Sequence, residues 1–255
     1  MIDMRSRFLF ICLLVVTGAG VAQNKMRTVD ALINKDDPGW PLVKAWIDSA
    51  RNKVELLPAD TAKASDALFK TQVTTGSPMG AVIFMTGGLL VDHGWIRILG
   101  SGNARLNRSL PEWNKGKSFN DYGEAPGYWL IADDVLGGFF AVNTGTFSRE
   151  KIGTVYYLAP DNLEWEDLNM TYSDFLLFCF NSNLDKFYEG LRWKDWQKDV
   201  AKLPGNKVFM FFPFLWSKDW KDINKVTREE APADEQFKFN METRKRLGLE
   251  TNYRK

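Results

Sequence analysis

The chain contains one histidine, His93, so any reaction that needs an imidazole base has one candidate. It sits in LLVDHGW, directly after Asp92 and two residues before Trp95. A nucleophile, His93 and a carboxylate would make a hydrolytic site, but no GxSxG elbow singles out a serine. A structural or ligand-contacting His93 is the plainer reading. Zinc normally takes four ligands, and His93 with Cys179 alone does not build that set. Asp133 and Asp134, with Asp92 or Asp121 brought near, would supply oxygen ligands for calcium, yet the spaced D-x-D-x-D-G loop is absent. Adjacent residues on a strand point to opposite faces, so Asp133 and Asp134 share a site only where the backbone turns. Glu164 and Glu166, flanking Trp165, raise the two-carboxylate chemistry of a glycosidase, but in so acid-rich a chain such pairs arise without function.

Two further features bear on binding. The segment GSGNARLNRSLPEWN joins a glycine-rich turn to Arg105 and Arg108, a pattern able to hold an anionic group, and it also fits a solvated loop. It lacks both the Walker A ending and the dinucleotide fingerprint. The chain has 10 tryptophans, enough to line a surface as well as fill a core, because large amphipathic rings are enriched at binding sites. No catalytic residue, metal or cofactor is assigned from these residues. The candidate ligand-binding set is Asp92, His93, Trp95, Arg105, Trp113, Asp133, Asp134 and Trp165.

The elements that must position these residues are read from the hydrophobic pattern. Val43, Ile47, Ala50 and Val54 recur at helical steps, which predicts one helix from Trp40 to Leu57 with Pro41 in its first turn and Pro58 closing it. A shorter helix is expected over Thr61 to Gln72. AVIFMT and LLVDHGWIRIL flank Gly87-Gly88, and the pair of runs reads as a β-hairpin. YWLIADDVLGGFFAVN repeats the pattern around Gly137-Gly138, and GTVYYLAP supplies the next strand, so an antiparallel meander is expected. Phe175, Phe178 and Cys179 mark a helix capped by Thr171 or Ser173, with Cys179 among apolar neighbours and buried. A second helix is read from Leu184 to Val200. VFMFFPFLW gives a last strand, at an edge or bulge because of Pro213, and a charged surface helix and tail complete the chain. The fold class is therefore α+β, a mainly antiparallel sheet flanked by helices.

The first 22 residues carry Arg5 and Arg7 before an uncharged apolar run ending in Gly20-Val21-Ala22, the layout of a secretory signal peptide. The run is too short to span a bilayer, and no transmembrane span is expected in a mature chain starting near Gln23. Cys12 lies mid-run after Ile11, away from where a lipidated cysteine would stand. Export to the periplasm or beyond is the expectation, with residues 23–220 as one domain and 221–255 as a charged helix and tail. Removing residues 1–22 takes away two arginines and one aspartate, so 33 basic and 32 acidic residues become equal in number. That balance argues against a nucleic-acid partner.

The motifs GGLLVDHGWIRILGSG, LPEWN, ADDVLGGFFAVN, GTVYYLAPDNLEWEDL, YSDFLLFCF, FYEGLRW and FPFLW, in this order, resemble the bacterial family of domain of unknown function 2625 over about residues 27–220. The resemblance implies no activity and no catalytic residues. IRILG, ADDVLGGFFAVN, GTVYY and the helix start at Tyr172 to Leu176 also resemble the SUKH superfamily, which implies an α+β, mostly non-enzymatic fold, with many members binding toxin domains as immunity proteins. The functional expectation is a non-catalytic envelope domain that recognises a protein or another polymer through an aromatic-lined surface. The alternatives are a hydrolase of an envelope polymer using carboxylates and His93, and an immunity-like protein.

Overall fold

The computed structural model describes residues 26–249; the signal-peptide expectation, its cleavage point and Cys12 lie outside them. Along the chain run α1 (Val29–Leu32), α2 (Trp40–Asp48), β1 (Val54–Pro58), α3 (Thr61–Thr71), α4 (Pro78–Met85), β2 (Thr86–Val91) and β3 (Ile96–Leu99). There follow α5 (Leu110–Asn114), β4 (Tyr128–Asp134), β5 (Phe139–Asn143), β6 (Thr154–Leu158), β7 (Trp165–Thr171) and α6 (Tyr172–Asn181). The remainder is α7 (Leu184–Phe187), α8 (Trp196–Val200), β8 (Lys207–Phe212), β9 (Thr227–Pro232) and α9 (Ala233–Arg246). The protein is α+β. Strands β1 to β7 form one antiparallel sheet in sequence order, and β8 and β9 form a second, two-stranded one.

Both faces of the large sheet are covered, which is why its central strands read as unbroken apolar runs. Phe139 and Phe140 are neighbours on β5 and so point to opposite faces. Phe140 meets Phe175 of α6 at 4.9 Å between ring centroids, whereas Phe139 meets Phe237 of α9 at 5.0 Å. One layer thus contains α2, α4 and α6, and the other contains α9 with β8. The expected meander, the Gly137-Gly138 turn between β4 and β5, and the helix capped by Thr171 are all present.

Several local expectations are corrected. The helix read from Trp40 to Leu57 stops at Asp48, because the N–H groups of Arg51 and Asn52 both donate to the Phe180 carbonyl at the end of α6. Asn52 Nδ2 adds bonds to the Cys179 and Ser182 carbonyls, and Val54 onward is then free to pair as β1 with β2. AVIFM is not a strand. Ser77 caps the Gly80 N–H and Pro78 opens the first turn, so this run is α4, a helix apolar all round because it is buried. Gly87-Gly88 is consequently not a turn but lies inside β2. Gly88 has φ +142°, and a Cβ there would sit 2.6 Å from Leu106 and 2.9 Å from the Ile98 carbonyl oxygen. Close strand approach, not chain reversal, is what requires glycine.

The helix read from Leu184 to Val200 is two short helices, α7 and α8, separated by a turn in which Gly190 and Asp195 take positive φ. That break turns Arg192 inward. The charged segment after Lys218 holds β9 as well as the expected helix, and α9 is not only a surface element, since Phe237 and Arg244 are buried.

Cys179 is fully buried on α6 and unpaired, as its apolar neighbours foretold, and burial pushes its thiol well above the ordinary range. Thiol reagents are accordingly expected to label it only in denaturant; labelling of the native protein within minutes would contradict this placement.

Candidate functional site

The β2–β3 turn builds one wall of a cleft. Val91 and Ile96 are the last paired residues, and Asp92, His93 and Gly94 between them all take positive φ. Such conformations are costly outside glycine, though Asp and His tolerate them better than branched residues do. The turn is held by Asp92 N–H on the Lys53 carbonyl at 2.7 Å and Trp95 N–H on the Asp92 carbonyl at 3.0 Å.

Facing His93 across the cleft are the tight turn Asn103–Leu106 and the segment from Val200, the last residue of α8, to Asn206. These two segments touch through Gly205, where any Cβ would overlap the Arg105 carbonyl oxygen. The cleft so enclosed is about 190 Å³. His93, Arg97 and Arg105 line it, and no carboxylate does; Leu90, Val135, Val200 and Leu203 supply aliphatic wall. The exposed Asn107 side chain stands at its rim.

The floor carries a buried charge network. Arg97 on β3 is directly opposite Asp133 on β4, and its Nε donates to Asp133 Oδ1 at 2.6 Å. Arg97 Nη1 also donates to the Lys207 carbonyl, tying the main sheet to β8. Arg108 approaches the other carboxylate oxygen, Nη1 to Oδ2 at 2.5 Å, without hydrogen-bond alignment, so this contact is Coulombic. Its Nε and Nη2 both donate to the Gly205 carbonyl, at 3.0 and 2.9 Å. Asp133 is wholly buried between two nearly buried arginines. Burial lowers the Arg97 pKa and Asp133 opposes that, but a guanidinium starts so far above neutrality that it stays charged.

The Asp134 carboxylate lies on the opposite face of β4, as strand alternation requires, and shares no partner with that of Asp133, although Arg97 Nη2 also donates to the Asp134 backbone carbonyl at 3.4 Å. Its Oδ1 accepts the N–H groups of Leu136 and Gly138, both at 2.9 Å, which shapes the Gly137-Gly138 turn. Its Oδ2 accepts the hydroxyls of Tyr157 at 2.6 Å and Tyr188 at 3.1 Å. Burial, opposed by these hydrogen bonds, leaves its pKa pushed up to about 6.

The remaining candidate residues are distributed between ion pairs and the core. Asp92 accepts Arg192 Nη2 at 2.5 Å, so its carboxylate serves that guanidinium rather than orienting the adjacent imidazole. Arg192 lies over the rings of Trp95 and Trp196, at 4.8 and 4.4 Å from their centroids. Trp95 is fully buried, in contact with Tyr188, Trp193 and Trp196. Trp113 stacks on Phe139, with Arg108 at 4.5 Å and Lys117 at 4.1 Å from its ring. Trp165 packs on Phe147. Trp95, Trp113 and Trp165 are 0%, 6% and 7% exposed, so they do not form an aromatic surface. Arg105 is exposed and pairs with Glu55.

Of the candidate set, the structure therefore brings His93 and Arg105 to one cleft, with Asp133 beneath it through its arginine partners. Sequence reasoning missed Arg97 and Asn107. An arginine in the apolar strand IRIL was a usable signal, because a buried charge requires a partner and Asp133 is a charge of opposite sign in an equally apolar run. No group of three or more His, Cys, Asp or Glu that could hold a metal occurs among the described residues, and none of their helices is long and apolar enough to cross a membrane.

The model of the family described as protein of unknown function DUF2625 matches residues 29–236. An uncharacterized protein of Haemophilus influenzae is 42% identical over 224 residues, covering 88% of this chain and 98% of that protein. The putative uncharacterized protein YbfG of Escherichia coli is 46% identical over 191 residues, 75% of this chain and 86% of that one.

Proposed function

We propose that this chain, which belongs to the DUF2625 family of proteins of unknown function, is an exported, non-catalytic domain that binds an anionic group of a protein or other polymer. The supporting observation is the lining of the 190 Å³ cleft, where Arg97, Arg105 and His93 face the space and no carboxylate lines it, the partners Asp133 of Arg97 and Glu55 of Arg105 standing outside that lining. A concave site walled partly by aliphatic residues and carrying a few convergent polar groups is what a binding pocket needs. The rigid floor favours recognition over chemistry. Arg97 is fixed by Asp133 and the Lys207 carbonyl, and the Asp92 carboxylate is engaged by Arg192, which leaves His93 without the orienting carboxylate a general base would use.

The test is an array of acidic glycans and peptides probed with the full chain and with Arg105→Glu. Arg105 is more than half exposed, so the substitution, which sets a second carboxylate beside Glu55, should lower the melting temperature only slightly. Captured acidic ligands are expected to lose at least tenfold in affinity, and His93→Ala is expected to weaken the same ligands. Capture indifferent to both substitutions would place binding elsewhere on the molecule.

A further inference from the structure

One guanidinium touches the His93 turn and its neighbours at three places. Arg192 Nη2 donates to Asp92 Oδ2 at 2.5 Å, and the same group lies over the ring of Trp95 at 4.8 Å and over that of Trp196 at 4.4 Å. Asp92 and Trp95 bracket His93 and Gly94 in the chain, and Trp196 is the ring that His93 itself meets, edge to face at 6.0 Å between centroids. We infer that Arg192 is the positioning residue of the cleft, fixing the Asp92–Gly94 turn against Trp196 so that the His93 imidazole faces the ligand space. The consequence for binding rests on the anion-binding reading above; the geometry does not.

The turn needs such a brace. Asp92, His93 and Gly94 have φ of +50°, +61° and +91°, a region that only glycine enters freely, so the first two hold it at a cost their surroundings must offset. Backbone bonds fix the two ends, from the Asp92 N–H to the Lys53 carbonyl and from the Trp95 N–H to the Asp92 carbonyl. Neither bond reaches the His93 side chain, which is exposed. Its direction depends instead on Trp196, the first residue of α8, the helix that also carries Val200 into the cleft wall. Arg192, with a side chain 12% exposed, joins the turn to that helix and sets their spacing.

A guanidinium suits this role and an ammonium does not. The Arg192 group lies on two indoles while its terminal nitrogens reach separate carboxylates, Nη2 that of Asp92 and Nη1 that of Asp185, each at 2.5 Å. Asp185 is 81% exposed and restrains little, whereas the Asp92 side chain is 17% exposed, so the tie that matters is the one to the turn. A lysine would keep the charge as a single point on a flexible stem and would lose the plane that packs on the rings.

The experiment follows the His93 ring by NMR in the full chain, where it is the one histidine and its signals need no sorting. In the unmodified protein a nuclear Overhauser contact between the His93 and Trp196 rings is expected, and added tripolyphosphate is expected to shift the His93 signal. Arg192→Met removes the fork and keeps an unbranched side chain; Arg192→Lys keeps the charge and serves alone should the first variant fail to fold. Both are expected to lose the ring contact and to bind tripolyphosphate at least fivefold more weakly, with Cys179 still protected from thiol reagents. Asp185→Asn, which alters only the exposed partner of Nη1, is expected to leave both readouts unchanged. A ring contact that persists in either Arg192 variant, or an affinity that Arg192→Lys holds within twofold of the unmodified chain, would overturn the inference. Tripolyphosphate that fails to move the His93 signal of the unmodified chain would instead remove the anion-binding reading, and the ring contact would still decide what holds His93.

Discussion

Asp133→Ala is expected to lower the unfolding free energy by about 3–5 kcal/mol, the range for breaking a buried ion pair from one side. Arg97 and Arg108, 3% and 7% exposed, would face each other without the carboxylate that now lies 2.6 and 2.5 Å from them. Neither guanidinium sheds its proton at accessible pH, so the variant must admit water or unfold. The triple variant Asp133→Leu, Arg97→Met, Arg108→Met separates charge from shape. Replacing a whole buried ionic cluster by apolar residues of similar volume is often neutral or stabilising. Urea titrations are expected to show the triple variant well above Asp133→Ala. A loss below about 1 kcal/mol for the single variant would mean that these arginines are solvated, and the rigid floor ascribed to the cleft would fall with that result.

Asp134 makes stability depend on pH in a direction opposite to that of a salt-bridged aspartate. Folded, its carboxyl titrates at about 6; its ordinary value is 3.8. Between those values the folded chain binds more protons than the unfolded one, so stability falls as pH rises. The contribution is fully present below pH 3.8 and lost above about pH 6. A shift of roughly two units corresponds to roughly 3 kcal/mol at 1.36 kcal/mol per unit. Asp134→Asn should remove it, because the side-chain oxygen still accepts from Leu136 and Gly138 while the amide faces the hydroxyls of Tyr157 and Tyr188. The difference in unfolding free energy between wild type and Asp134→Asn, measured from pH 4 to 7, is expected to change by about that amount in favour of the variant. Parallel curves would show that Asp134 is ionised in the fold throughout.

What the sequence determined by itself was local and sequential. Gly137-Gly138 between two apolar runs fixed the β4–β5 turn, Thr171 before YSDFLLFCF fixed the start of α6, and the apolar neighbours of Cys179 fixed its burial. Dense motifs in a constant order carried the family. Each of these signals is a pattern within a dozen or so residues, the range over which capping, turn conformation and periodicity act. The tertiary structure decided whatever depended on a distant partner. Val82 and Ile83 favour a strand by type, yet the buried position of α4 against β2 leaves period unreadable and lets the Ser77 cap prevail. Trp95, Trp113 and Trp165 were eligible for a surface or a core, and only packing chose the core. Arg97 meets Asp133 36 residues away, and Arg108 meets the Gly205 carbonyl 97 residues away. The cleft is therefore absent from any stretch of sequence. It exists because a buried charge must find its counter-charge and a buried polar group its hydrogen bond, and the chain satisfies both requirements only by bringing remote segments together.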